Sequence, residues 1–316
     1  MAEYKGIHGT KVQDYTTDPD NPITGQVWYN ETANTIRVEA ATSAGAWSTG
    51  GNLNTARYGL GGSGTQTAAL AFAGDIPPAL GNTESYNGSS WTEVNDLNTA
   101  RLLYNGNAGT QTSALAFGGA ATNINESWNG TSWTEVADMN VSKNRTGIGV
   151  DNTVALAISG GSPVVANVES WNGTSWTEVN DVNTARVQAA AAGTNTGAIT
   201  FGGASPNLTN TESWNGTSWT EVNDLNTGRY GLGGAGTQTS ALAFGGGFPD
   251  KANTEEWNGT SWSETTDLST ARRSLASALN GTTSAALAFG GGPPVQSATE
   301  EWLGAGAPVI RTITTD

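Results

Sequence analysis

Hydrophobic positions in this chain come in short bursts, not in helical faces. In the stretch that begins at Arg229, a run of small residues (RYGLGGAGT) precedes an apolar burst (SALAFGG). Two aromatic-bearing segments, TEEWNG and SWSETTDL, follow. The apolar burst is too short for a helix, and Gly breaks every window long enough to hold one. Turn residues separate the segments: Gly-Thr-Gln-Thr after the first and Asn-Gly-Thr-Ser between the third and fourth. The pattern predicts four short strands, A to D, and no helix.

The same frame returns along the chain. ESWNGTSWTEVN runs from Glu169 to Asn180 and again from Glu212 to Asn223. The second Trp of the motif stands at Trp91, Trp133, Trp176, Trp219 and Trp262, with gaps of 42, 43, 43 and 43. Trp47 lies 44 residues before Trp91, and an Arg follows each of these tryptophans: Arg57, Arg101, Arg145, Arg186, Arg229 and Arg272. Four strands in roughly 40–50 residues is the period of a propeller blade. Strand A has the least bulk, which suits the crowded position beside a central axis. B-type bursts recur around Phe72, Phe117, Ile158, Phe201, Phe244 and Phe289, and C-type aromatics at Tyr86, Trp128, Trp171, Trp214, Trp257 and Trp302. The series opens with a D segment (Trp47) and ends with a C segment (Trp302). Joining them predicts an all-β, six-bladed β-propeller over residues 44–302, closed by an N-terminal D strand that removes two open edges.

Two segments fall outside that frame. Residues 1–43 form an N-terminal arm with a β-hairpin in QVWYNETANTIRVEA, where Val27, Tyr29, Ile36 and Val38 alternate around a polar turn. TTDPDNPITG before it reads as a turn-rich linker. Residues 303–316 form a C-terminal β-tail, rich in β-branched Val309, Ile310, Thr312 and Ile313. The ends are expected to make a small accessory β-module that either attaches and oligomerises the protein or covers the seam.

Composition removes several chemistries. The 316 residues include no Cys, so disulfides, thiolate metal sites and Cys nucleophiles are out. His8 is the one His, and its polar N-terminal setting reads as solvated. A net charge of -15 repels phosphate backbones and anionic membranes, so no nucleic-acid partner is expected. No segment approaches the length of a membrane span, and the first residues lack the apolar core of a signal peptide. No cofactor is expected.

The recurrent polar residues read as scaffold. Asn-Gly-Thr at Asn129, Asn172, Asn215 and Asn258, and Asn-Gly-Ser at Asn87, match glycosylation acceptors. Their fixed place between two strands favours a tight turn in which Asn-Gly supplies positive φ. Glu84, Glu126, Glu169, Glu212, Glu255 and Glu300 precede the C aromatics, and Glu93, Glu135, Glu178, Glu221 and Glu264 follow D tryptophans. A catalytic carboxylate pair is unique in a protein, whereas these are multiplied by the repeat, so pairing with the recurrent Arg or with solvent is expected. Asp96, Asp138, Asp181, Asp224 and Asp267 are expected to cap turns. Individuality sits in the B–C connections, on a face they share with the D–A loops. The candidate binding residues there are Ile76, Pro77, Pro78, Val164, Val165, Phe248, Pro249, Asp250, Lys251 and Pro293, with Phe248 to Lys251 expected to be exposed.

An apolar strand ending in Gly-Gly, then an aromatic, a Trp and a loop into an Arg resembles a kelch repeat over about residues 44–302. The five-residue step from Trp171 to Trp176 is shorter than the usual kelch interval, so the resemblance is to a kelch-like propeller. Copper oxidases of the galactose oxidase type use such a propeller with a Cys-linked Tyr and His ligands, which this chain does not supply. WNGTSWTEVNDLNTAR resembles repeat proteins of tailed, especially marine, bacteriophages, and GQVWYNETANTIRV resembles a phage tail-fibre segment. That resemblance implies a non-enzymatic virion structural or interaction protein, a tail fibre or a capsid or tail decoration. It further implies virion localisation, contact with other virion proteins through residues 1–43 and 303–316, and self-association into a homo-oligomer. The B–C face would bind a host-surface glycan or protein. The alternatives are a secreted carbohydrate-binding adhesin or lectin and a glycoside-active enzyme.

Overall fold

The computed structural model describes residues 12–20, 22, 25–41, 45–119, 122–142, 146–204, 206–306 and 308–313. His8 and Arg145 lie outside the described residues, as do parts of the expected arm, linker and tail. Among the described residues there is no helix, and the strands form seven four-stranded sheets. The fold is all-β and propeller-like. Two compact units divide the chain, residues 46–303 and the two chain ends together.

Residues 46–303 hold six four-stranded antiparallel sheets. The first five span residues 61–94, 107–136, 146–179, 190–222 and 233–264. The sixth joins Ala276–Ser277, Ala285–Phe289 and Thr299–Leu303 to Ala46–Thr49. In that sheet Trp302 pairs with Trp47 and Glu300 with Thr49. The first strands neighbour one another in a cycle, and the sixth meets the first. Small residues permit that approach: a Cβ on Gly62 would stand 2.5 Å from the Ser277 carbonyl oxygen of the sixth sheet.

Among the described residues, five of these sheets are anchored by a buried ion pair between strand C and the connection entering strand A. In the first sheet the Glu84 carboxylate accepts from Arg57 Nη1 (2.7 Å), the Asn54 backbone N–H (2.6 Å), Asn54 Nδ2 (2.9 Å) and the Thr55 N–H (3.3 Å). Arg101–Glu126, Arg186–Glu212, Arg229–Glu255 and Arg272–Glu300 repeat the pair, all buried. Burial pushes the guanidinium of Arg57 below its ordinary pKa, and Glu84 opposes that shift. These arginines precede strand A instead of belonging to it. The segment RYGLGGAGT contributes only Gly233–Thr237 to the ladder. The Arg229 carbonyl instead accepts the Gly203 N–H of the preceding sheet (2.9 Å). Gly246 and Arg272 repeat this bond at 2.8 Å, which explains the diglycine after strand B: a Cβ on Gly245 would stand 2.8 Å from the Arg272 oxygen.

Tryptophans join the sheets. Each D-strand Trp packs on the C-strand aromatic of its own sheet and reaches into the preceding sheet. Trp133 stacks at 4.9 Å on Phe72 and donates Nε1–H to Thr83 Oγ1 (3.0 Å). Trp91 does the same to Phe289 and Thr299, Trp262 to Phe201 and Thr211, and Trp47 to Phe244 and Thr254. Trp219 faces the third sheet, where Ile158 and Val168 replace Phe and Thr, and its buried Nε1 has no partner. The A–B turns add a polar tie: Gln238 Nε2 donates to the Trp214 carbonyl of the preceding sheet (2.6 Å). Tyr86 replaces Trp where the first sheet meets the sixth, and its hydroxyl donates to Glu301 (2.5 Å).

The C–D turns work differently from the sequence expectation. Gly130 and its four counterparts have positive φ, but the Asn residues do not. Asn129 Oδ1 instead accepts the N–H groups of Thr131 and Ser132, both at 2.9 Å, because a short polar side chain folds back on its own backbone. Asp96, Asp224 and Asp267 cap strand C, not their own turn: Asp96 Oδ1 accepts the Thr83 N–H (3.0 Å).

The chain ends share the seventh sheet, ordered Gln13–Tyr15, Val27–Asn30, Thr35–Ala41, Pro308–Ile313. The expected hairpin is there, with Tyr29 opposite Ile36, and Ile313 lies opposite Ile36 on its other side. Gln13–Tyr15 adds a parallel edge strand that the sequence did not signal. Asp18 accepts from Trp28 Nε1 (3.0 Å) and Asn30 Nδ2 (2.7 Å) and pairs with Arg37.

Three outcomes test these anchors. Glu84→Ala leaves Arg57 buried without a counter-charge and lowers stability by about 3–5 kcal/mol in denaturant titrations; Arg57→Met with Glu84→Met costs less than the two single changes summed. Val168→Thr gives Trp219 the acceptor that Trp47, Trp91, Trp133 and Trp262 have and raises stability by about 1 kcal/mol. Burial and then the Glu301 hydrogen bond push the Tyr86 phenol from 10.0 up to about 12. The folded state therefore keeps a proton that the unfolded chain loses. That stabilisation is complete below pH 10 and is lost as pH rises toward 12, so Tyr86→Phe flattens the alkaline fall in denaturation midpoint.

Candidate functional site

The loops that follow the anchoring arginines converge on a central cup of about 400 Å³. Its wall includes Tyr58, Tyr230 and Arg273, each directly after an anchoring Arg. Gln188 and Ser274 stand two residues after theirs, and Tyr104 three. Pro293 and Val295 come from the B–C connection of the sixth sheet.

Backbone hydrogen bonds make the rim. Leu103 N–H donates to Gly59 O (2.8 Å), Gly59 to Ser274 (2.8 Å), Ser274 to Gly231 (2.7 Å) and Gly231 to Gln188 (2.7 Å). Each link crosses from one sheet to the next. The rim residues take a left-handed turn, natural for Gly59 and Gly231 at φ 62°. Gln188 and Ser274 take it at φ 52° and Tyr104 at φ 47°, where a Cβ is unfavourable by about 1–2 kcal/mol. Three wall side chains thus sit where glycine would be relaxed. The D–A and B–C loops are also stitched together, by Gly247 N–H to Tyr230 O (2.7 Å) and Asp75 N–H to Tyr58 O (2.9 Å). Beside Tyr104, Asn105 Nδ2 donates across the cycle to the Leu232 carbonyl (3.2 Å).

Arg273 is the charged side chain of the wall, and Asp75 stands behind Tyr58. Asp75 is 9% exposed; Oδ2 accepts from the Tyr58 hydroxyl (3.1 Å), and Oδ1 has no partner. Burial, then Asp75, raises the Tyr58 pKa; burial, then the charges of Tyr58 and Asp75, raises that of Tyr104. Both phenols are neutral donors near neutral pH. Arg273 pairs with Asp250 and lies 5.1 Å from the Phe248 ring centroid. The carboxamide of Gln188 and the hydroxyls of Tyr104 and Tyr230 have no hydrogen-bond partner among the described residues.

Of the ten residues singled out in the sequence, Pro293 lines the cup. Phe248 and Asp250 reach it through Arg273. Phe248 is 67% exposed and Pro249 is exposed, but Asp250 and Lys251 are half-buried, Asp250 because Arg273 holds it. Ile76, Pro77, Pro78 and Val164 are exposed away from the wall, and Val165 opens a strand instead of sitting in the loop. The residues after the anchoring arginines were missed. Their signal was variability inside a constant frame: Tyr58, Leu102, Thr146, Val187, Tyr230 and Arg273 share one repeat position.

Chemically, the cup offers aromatic faces, hydroxyls, a carboxamide and a guanidinium paired with Asp250. The Glu84-type carboxylates are committed to arginines away from it. Among the described residues no group of three or more His, Cys, Asp or Glu stands together as a metal site. Neither a protein-family model nor a curated protein sequence matches the chain.

Proposed function

We propose that residues 46–303 are a six-bladed, kelch-like propeller, with Ala46–Thr49 as the outer strand that closes the last blade. The cyclic order of first strands and the Trp302–Trp47 pairing support this reading. The propeller is a non-enzymatic binding module of a phage particle, a tail fibre or a capsid or tail decoration. It presents the central cup to a host-surface or virion partner, and the sheet of the chain ends serves as the attachment and oligomerisation arm. The observation that carries the binding role is the cup itself. Five sheets contribute wall side chains on a hydrogen-bonded rim, three of them at strained φ. Strain kept at a rigid concave surface marks function more often than scaffold. The phage setting rests on the repeat wording and the tail-fibre-like N-terminal segment.

Gold-labelled antibody against the protein should decorate particles in electron micrographs, and incubation with oligosaccharides should release no reducing ends. Label confined to cell surfaces gives the adhesin reading instead, and released reducing ends give an enzyme.

A further inference from the structure

We propose that the cup takes a neutral pyranose saccharide, stacked on its tyrosines and hydrogen-bonded through Gln188 and the hydroxyls of Tyr104 and Tyr230. This rests on the reading of the cup as a binding site and adds the ligand class. The argument begins with charge. Arg273 is the cation of the wall, and Asp250 already neutralises it. Asp75 adds a carboxylate, in a chain whose net charge is -15. An anionic sugar would therefore enter a negative field. A quaternary ammonium, the other natural guest of an aromatic wall, has no hydrogen-bond donor or acceptor and would leave Gln188 and the phenols of Tyr104 and Tyr230 without partners. An uncharged, hydrogen-bonding ligand meets neither opposition.

The polar inventory selects a polyol among uncharged ligands. Gln188 offers a donor and an acceptor, and the phenols of Tyr104 and Tyr230 can do both. The tyrosine rings supply flat apolar faces for the C–H face of a pyranose. A volume of about 400 Å³ lies within the range of small-ligand pockets. Gln188 adds an independent observation. Its sister positions Gly59 and Gly231 show that the rim needs no side chain there, yet Gln188 holds one at φ 52°. Positions that carry strain without a packing reason are retained for contact with something outside the fold.

The test uses saturation-transfer NMR on the full chain. The neutral probes are methyl glycosides of glucose, galactose, mannose and N-acetylglucosamine. Glucuronic acid, N-acetylneuraminic acid and tetramethylammonium are the charged probes. The expected result is transfer to at least one neutral glycoside and none to the charged probes. Gln188→Gly should weaken that binding about tenfold, one lost hydrogen-bonding side chain, while raising the melting temperature. A residue with only a structural role would not move the two readouts in opposite directions. Tyr230→Ala, in a variant that keeps its melting temperature, should also lose binding. Preference for a charged probe, or no transfer to any neutral glycoside at millimolar concentration, overturns the saccharide assignment. So does neutral binding that Gln188→Gly leaves intact. Gold labelling of particles is independent of all these outcomes, so the assignment can fail while the display reading stands.

Discussion

The structure depends on a charge that water cannot reach. Each anchoring Arg is buried, and burial of a guanidinium is tolerable only when a counter-charge and further hydrogen bonds surround it. Glu84 supplies the charge, but its carboxylate also needs partners, and the Asn54–Thr55 backbone wraps around to provide them. Strand C therefore dictates the path of the connection into strand A. That path ends with the Arg carbonyl turned toward the preceding diglycine and the next residue delivered to the rim. One electrostatic requirement thus links sheet interior, sheet-to-sheet joint and cup wall. Most of its contribution is specificity of path, because a buried pair gains little net free energy over apolar packing.

Repetition follows from the joints. Every sheet presents a D-strand Trp to the sheet before it, and the first, fourth, fifth and sixth present a Phe–Thr receptacle to the sheet after them; in the second, Asn125 stands in place of the Thr and Trp176 Nε1 has no partner. Each interface is a copy of the last only if the residues are copies too. The third sheet shows the rule through its exception, since Ile158 and Val168 change together and Trp219 loses both the ring and the acceptor across the joint. Tyr86 is a further departure, and it falls where the sixth sheet meets the first.

Strand count, turn positions and the pairing of the first D segment with the last C segment were readable because they rest on periodicity and turn chemistry. The Glu–Arg partnership was readable as well, since two charged series with one period must meet or face water. The start of strand A was not. RYGL looks like the rest of its segment, and only the Arg carbonyl's bond to another sheet shows that the chain has left the ladder. The cup was hidden for a related reason. Tyr58, Tyr104 and Tyr230 are far apart in sequence, and their convergence is a product of the cycle, whereas the variable B–C loops advertise themselves locally. Asp75 shows the limit of loop reading: it sits one residue before the Ile76–Pro78 stretch, yet its carboxylate turns inward to Tyr58.

The split sixth sheet also sets an order of events. Ala46–Thr49 leaves the ribosome long before Thr299–Leu303, its ladder partner. Synthesis at about 5–20 residues per second leaves that strand waiting roughly 10–50 s. During that interval Trp47 and an unpaired edge are open to any other nascent chain. The strand is four residues long and otherwise carries only Ala, Ser and Thr. Such a short, polar edge is a poor template for pairing with strangers. The last piece to be placed is thus the one least able to do harm while it waits.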